Sequence, residues 1–463
     1  MEEFSNKRVL VAGLCERGVA AARLLRMGGA MVTVTDASDS EEIRKEAGLL
    51  KQLGIDSHIG VERPPAVNYD VVVLSPGISP STPYVQELGA HGAQILGELE
   101  IGFRLSRCLN IAIAGTNGKG TTGRLIENIL TYNGRQTSLC GHGSKPICDV
   151  VPESKNLDYL ILLANALQLE TTNFFRPAIA VLMNLTPAYG KRFESREDYV
   201  RSVAKMFINQ QPFDWAVVQK EALNVLREFE IPLTTKVVTF SSTDPDADII
   251  LDRGLITARL PDWSGPLLDM DECRLTGRHN AENIMAALVT GHILRLPLEA
   301  MKDVIKKQSA EPDCFEVLAE SGGVIFINDS KATNVDALEK ALLSLPHSEG
   351  NRPNTWLIAG GVDEGQEFHS LGPLISPRLK GAFLVGESRD RIRSAWSLFT
   401  PCTTAGSLLE AFQLAIKNAV PGDVVLLSPA CSSFDQFRDF RHRGDVFRSA
   451  VQKWSGKGTD VLP

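Results

Sequence analysis

The segment Gly115-Thr116-Asn117-Gly118-Lys119-Gly120-Thr121-Thr122 joins the apolar run Leu109–Ala114 to a helical pattern over Arg124–Leu130. Glycines at a strand-to-helix turn let backbone N–H groups close around phosphate oxygens, and a lysine there reaches the β- and γ-oxygens. Gly115, Thr116, Asn117, Gly118, Lys119, Gly120 and Thr121 are therefore candidate phosphate ligands, with Lys119 the one full charge among them. The residue after the lysine should be a hydroxyl able to hold Mg²⁺. Here it is Gly120, and Thr121 comes one step late.

A second glycine turn, Gly13-Leu14-Cys15-Glu16-Arg17-Gly18, follows the strand-like Arg8–Ala12, and Asp36 closes the next strand, Met31–Thr35. It is a loosened dinucleotide fingerprint with its third glycine out of register. Diphosphate binding and plain Rossmann-like packing both account for these residues. Val71–Leu74 runs into Ser75-Pro76-Gly77, and Thr355–Ala359 runs into Gly360-Gly361.

Strands that alternate with helices and end in glycine turns predict an α/β protein with open parallel sheets, helices on both faces and ligands at the carboxyl ends of strands. The 463 residues suffice for three domains at roughly 100–200 residues each. Boundaries near Phe103–Cys108 and Arg295–Pro297 give a Rossmann-like domain (1–106), a central P-loop ATPase-like domain (107–297) and a second Rossmann-like domain (298–463).

The net charge of −8 offers no basic face for nucleic acid. No apolar run approaches the ~18 residues of a membrane span. Met1–Arg8 carries charges and leads straight into Val9-Leu10-Val11, so a cytoplasmic protein without a secretory leader is expected. The eight cysteines, scattered without a Cys-x-x-Cys pair, read as reduced thiols. A monomer is expected.

Further motifs give the chain a specific resemblance. Gly115–Lys119, the segment Tyr159–Thr172, and Gly277-Arg278-His279-Asn280-Ala281-Glu282-Asn283 resemble motifs of the Mur ligase family. Asn328-Asp329-Ser330-Lys331-Ala332-Thr333-Asn334 and Leu427–Asp435, continued by Phe440 and Arg443-Gly444, resemble carboxy-terminal signatures of the member that adds D-glutamate. The likeness runs from about residue 8 to residue 450.

The resemblance implies an ATP-dependent ligase of peptidoglycan precursor synthesis. ATP would phosphorylate the carboxylate of UDP-N-acetylmuramoyl-L-alanine, and glutamate would displace phosphate from the acyl phosphate. Gly13, Asp36, Ser75 and Gly77 would hold the UDP substrate, and Lys119 with Asn280 and Asp329 the adenine nucleotide. Lys331, Ser433 and Phe440 would hold the amino acid, and Lys205 matches a carbamylated lysine that bridges a metal. Each assignment has a structural rival: Asp329 or Asn280 as a helix cap, Phe440 as core, Lys205 as an exposed helical lysine.

The departures from the family pattern cluster at metal and charge positions. Leu163 stands for a magnesium-binding glutamate, Asn165-Ala166 for a Ser-Ser pair, Tyr189 for a metal-binding histidine and Gly120 for a hydroxyl. Cys314 replaces a nucleotide-contacting arginine, Glu364 a lysine, and Gly141–Pro146 departs from a muramoyl-binding loop. Mg²⁺ is expected from the family, but its ligands are unassigned here. Two readings follow: a working ligase, or a catalytically impaired paralogue that binds nucleotide or UDP-sugar without turnover.

Overall fold

The computed structural model describes residues 2–186, 192–345 and 352–456. The chain forms two compact units. The first comprises Met1–Leu185, Ser195–Cys273 and Asn280–Lys307; the second comprises Thr186–Glu194, Arg274–His279 and Gln308–Pro463.

The first unit holds two sheets. In one, β1 (Arg8–Ala12), β2 (Met31–Asp36), β3 (Asp56–Ile59), β4 (Val71–Leu74) and β5 (Gln94–Gly97) lie in the order β3-β2-β1-β4-β5, all parallel. Val71–Leu74 is buried along its whole length, as a parallel strand covered on both faces should be. The order reverses beside β1, so the turn after β1 opens at a switch point.

The other sheet has β6 (Leu109–Ala114), β7 (Thr137–Gly141), β8 (Tyr159–Leu163), β9 (Ile179–Leu182), β10 (Trp215–Gln219), β11 (Lys236–Ser241), β12 (Ile249–Asp252), β13 (Leu255–Leu260) and β14 (Trp263–Asp269). Its order is β14-β13-β12-β11-β10-β9-β6-β8-β7. From β7 to β12 the pairs are parallel, but β12-β13-β14 is an antiparallel meander.

Buried carboxylates join these two sheets. Glu98 and Glu100 lie on the helix Glu98–Leu105 that follows β5. Glu100 accepts hydrogen bonds from the backbone N–H groups of Asn173, Phe174 and Phe175 at 2.9–3.1 Å, and from Arg104. Glu98 accepts from the N–H of Cys148 at 2.8 Å.

In the second unit β15 (Glu316–Ser321), β16 (Val324–Asn328), β17 (Thr355–Gly360), β18 (Leu379–Val385), β19 (Cys402–Thr404) and β20 (Val424–Leu427) run in the order β15-β16-β20-β17-β18-β19. Only β15 among these described strands is antiparallel.

The expected parallel sheets are thus present, with an antiparallel hairpin added at one edge of two of them, and local chemistry explains both hairpins. Arg253-Gly254 and Gly322-Gly323 are two-residue connections with positive φ at both positions, the backbone of a tight hairpin turn. The third glycine turn also differs from expectation. After Gly360-Gly361 the next helical turn begins at Phe368, so no helix starts at the glycines.

Candidate functional site

The phosphate loop leaves β6 between β8 and β9, with Ile113 paired to Leu163 and Ala114 to Leu182. Gly115 and Gly118 have φ of +134° and +87°, and Gly118 caps the helix Lys119–Tyr132. A side chain at Gly118 would overlap the Asn283 amide. The loop is held from behind by Asn184. Its backbone C=O accepts from Thr116 N–H at 3.0 Å, and its side chain accepts from Asn117 N–H at 2.8 Å and donates to Asn117 C=O at 3.0 Å. Lys119 Nζ folds over the loop and donates to the carbonyls of Gly115 (2.6 Å) and Thr116 (3.0 Å). The arrangement brings a cation, a helix amino terminus and a glycine-shaped backbone to one place, which is chemistry suited to an anion.

Asn280 is tied to the same place. It lies in the first turn of the helix Arg278–Ile293 and accepts from Asn283 Nδ2 at 3.1 Å. Asn283 Oδ1 in turn accepts from the Thr122 hydroxyl at 3.2 Å. Lys205 is not brought to the loop. Its helix, Arg196–Ile208, reaches the loop through Tyr199, whose hydroxyl is 3.0 Å from that of Thr116. Lys205 sits six residues on, about 9 Å along the axis at 1.5 Å per residue. There its Nζ donates to the carbonyls of Glu170 (2.5 Å) and Thr172 (3.4 Å), and burial lowers its pKa.

Magnesium donors do not fit as the resemblance requires. Leu163 is buried and apolar, Gly120 has no side chain, and the Thr122 hydroxyl faces Met183 Sδ and Asn283. Asn165 caps the helix Ala166–Glu170 in a reciprocal box with Gln168. Tyr189 lies outside the described residues.

Around β1 the same plan recurs with different chemistry. Gly13, φ +90°, is flanked by Asp36 at the end of β2 and Ser75 after β4. Asp36 accepts from the N–H groups of Leu14 (2.7 Å) and Ser38 (2.8 Å), and Ser75 Oγ donates to the Gly13 carbonyl at 2.8 Å. A Cβ on Gly18 would overlap that carbonyl, so this glycine lets the helix Glu16–Met27 approach the turn. Gly77 has open space around it. Arg17 leaves the turn and donates to the Gly141 carbonyl at 3.1 Å.

In the second unit, Asp329 follows β16. The helix-cap reading fails there, because the next helix begins at Val335 and is capped by Asn334. Asp329 instead accepts from Phe315 N–H (3.0 Å) and Ser428 Oγ (2.8 Å), and burial pushes its pKa up to about 7. Arg443 binds the surrounding segments together. Its buried guanidinium donates to Ser330 Oγ, Ser330 C=O and Cys431 C=O at 2.8–3.1 Å, and burial lowers its pKa to about 10. Ser330 Oγ donates to the Phe440 carbonyl at 2.8 Å, while the Phe440 ring, half-buried, lies under Arg441. Lys331 is 3.7 Å from Glu311, and Ser433 is buried in the turn after β20. A small hollow lined by Gly360, Gly361, Gly386, Asp435 and Arg443 lies at the carboxyl ends of β17, β18 and β20.

Asn184 and Asn283 were not singled out by sequence reasoning as supports for the phosphate loop. Their signal was faint: an Asn directly after an apolar strand, and another in a helix's first turns.

Comparison with known proteins matches three parts of the chain to one family. The MurD-like amino-terminal domain of Mur ligases matches residues 7–97, the Mur ligase middle domain residues 113–291, and the glutamate ligase domain of Mur ligases residues 315–431. The UDP-N-acetylmuramoylalanine–D-glutamate ligase of Acidobacterium capsulatum is 35% identical over 453 residues, covering 97% of both chains. That of Geobacter metallireducens is 35% identical over 454 residues, covering 97% of this chain and 98% of the relative. Among solved structures, the MurF ligase of Thermotoga maritima in complex with ADP superposes with a TM-score of 0.60 at 17% identity, over 98% of this chain and 96% of that one. The UDP-N-acetylmuramate-alanine ligase of Thermotoga maritima gives 0.59 at 15% identity, over 97% and 100%.

Proposed function

This chain belongs to the Mur ligase family, and from that premise we propose that it joins glutamate to UDP-N-acetylmuramoyl-L-alanine with hydrolysis of ATP to ADP and phosphate. One observation carries the reading: 35% identity to a D-glutamate ligase over 97% of both chains, with three Mur ligase domain types matched in succession along this chain. The phosphate loop supports it.

In this reading the chain is divided at 106/107 and 297/298 into a UDP-substrate domain, an ATP domain and an amino-acid domain. Lys119 and the N–H groups of residues 115–121 hold the ATP phosphates and offset charge as the γ-phosphoryl passes to the substrate carboxylate. The glutamate amine then attacks the acyl carbon, and the tetrahedral intermediate expels phosphate. Asn280 and Asp329 serve the adenine nucleotide, and Gly13, Asp36, Ser75 and Gly77 the UDP end. Lys331, Ser433 and Phe440 serve the amino acid. Lys205 is the candidate for carbamylation, since burial favours its neutral amine, the form that combines with CO₂, but it is held at the Glu170 and Thr172 carbonyls and not at the phosphate loop. The donors beside the phosphate loop do not match Mg²⁺, so neutralising the phosphate charge falls to Lys119 and the loop N–H groups. The chain works as a cytoplasmic monomer.

Phosphate release tests this, with UDP-N-acetylmuramoyl-L-alanine, ATP, Mg²⁺ and either D- or L-glutamate. Release that requires all three substrates, with D-glutamate preferred, is expected. Nucleotide binding without release under any combination would reject the ligase and leave a non-catalytic paralogue.

A further inference from the structure

A cation beside bound phosphates would lie between the loop and the carboxyl end of β8, because β6 and β8 are neighbours. Oxygen donors are scarce there. Leu163 is 4% exposed, and its Cδ2 lies 2.8 Å from where a Cβ on Gly123 would stand. Its methyl groups therefore fill the gap between β8 and the loop helix. Gly120 contributes no side chain, and Thr122 is buried against Met183 and Asn283. The Asn184 amide is engaged at both ends by Asn117, and Asn165 caps its own helix. Thr116 pairs with Tyr199, and Thr121 adds one neutral hydroxyl. Residues 187–191, outside the described residues, include neither a carboxylate nor an imidazole. Magnesium seeks hard, mostly anionic oxygens in near-octahedral array at ~2.0–2.1 Å; methyl groups supply none.

We propose that this chain holds its nucleotide phosphates on Gly115–Lys119 without a divalent cation ligated by its own side chains. The inference rests on the reading of that loop as the ATP site. Lys119, the loop N–H groups and the helix start carry the charge neutralisation. A cation then rides on the nucleotide in its own hydration shell and gains nothing from the protein. It also removes negative charge that Lys119 would otherwise meet, so it does not strengthen binding.

Titration calorimetry of ADP into the full chain, in excess Mg²⁺ and in EDTA, decides the matter. The two dissociation constants should agree within about threefold, with the Mg²⁺ value no tighter. Binding about tenfold tighter in Mg²⁺ overturns the inference alone. Binding in neither condition overturns it together with the nucleotide reading. The double variant Gly120→Ser/Leu163→Glu restores oxygens at both positions and should acquire a Mg²⁺ preference of about tenfold. Gly120→Ser alone, which leaves the apolar gap intact, should acquire part of it. Circular dichroism confirms that each variant is folded, and a folded double variant with no gained preference also overturns the inference.

Discussion

The turns after β1 and after β6 share a backbone plan and differ in charge. Each leaves a central parallel strand at a left-handed glycine, enters a helix and is flanked by the ends of two neighbouring strands. At β6 an ammonium lies over the loop and bonds to its carbonyls. At β1 a carboxylate lies beside the loop and accepts from one of its N–H groups, that of Leu14, while the nearby cation, Arg17, reaches away to Gly141. The first arrangement welcomes polyanions. The second has already spent a loop N–H on Asp36, so it suits the hydroxyl and N–H donors of a ribose or base beside a helix start. A shared fold element is therefore not a shared ligand; the flanking side chain decides.

The strongest way to break this contrast is Lys119→Ala. It removes the only full charge in the cradle, and ADP affinity should fall roughly 10- to 100-fold, the loss of one charge-assisted contact of about 1.5–3 kcal/mol. Uridine-nucleotide binding should be unchanged. Equal ADP affinity in wild type and variant would mean the loop backbone alone binds, and the charge contrast would lose its meaning.

Next in size is Glu98, which sits beside the first turn. Its Oε1 accepts from Cys148, whereas its Oε2 is buried with no hydrogen-bond partner in the structure. Burial pushes its pKa up to about 7, against the lowering influence of the Cys148 N–H and of Arg17, while Asp149 raises it further. The unfolded carboxyl titrates near 4.5, so between 4.5 and about 7 the folded state binds more protons. Stability from this group therefore falls as pH rises through that window, and the penalty is complete above it. Glu98→Gln keeps the bond to Cys148 and abolishes the ionisation. Urea unfolding at pH 5 and pH 8 should show the variant gaining on the wild type by on the order of 1–2 kcal/mol at the higher pH. A parallel pH profile for both proteins would mean that Glu98 is solvated or ionised at little cost.

What the chain's sequence disclosed, and what it hid, follows the range of the interactions. The loop Gly115–Lys119 was legible because its chemistry is local: glycine spacing, a lysine and a strand before it. Asp36 was legible as the end of the second strand. The partners that fix these features were not. Asn184 lies 67 residues from Asn117, and Ser428 lies 99 residues from Asp329. Such pairs arise from strand order, which no local pattern encodes. The role of Arg443 was hidden in the same way, since its acceptors at Ser330 and Cys431 meet only when β16 and β20 pair. The edge hairpins are a different kind of miss. Gly322-Gly323 between two apolar runs is a local hairpin signal that a parallel α/β pattern overshadowed.

The smallest effect expected is also the one that separates the two turns most cleanly. Asp36 holds two N–H groups, of which Leu14 is on a buried residue while the bond to Ser38 is exposed. In Asp36→Asn a single oxygen remains to accept. It should turn to Leu14, because the Ser38 N–H can bond to water and the Leu14 N–H has no such alternative. What is lost is the ionic strengthening of one bond and the exposed half of the clamp, about 1 kcal/mol of stability, read by urea unfolding. The glycine turn keeps its shape, since Gly13 is still fixed by Ser75 and by the close approach of Gly18. ADP binding at the phosphate loop should be unaffected, while stabilisation of the protein by UDP should diminish if the carboxylate faces the uridine end. A variant that lost ADP affinity as well would show that the two turns are coupled within the first unit. Their opposite charges would then be parts of one site rather than of two.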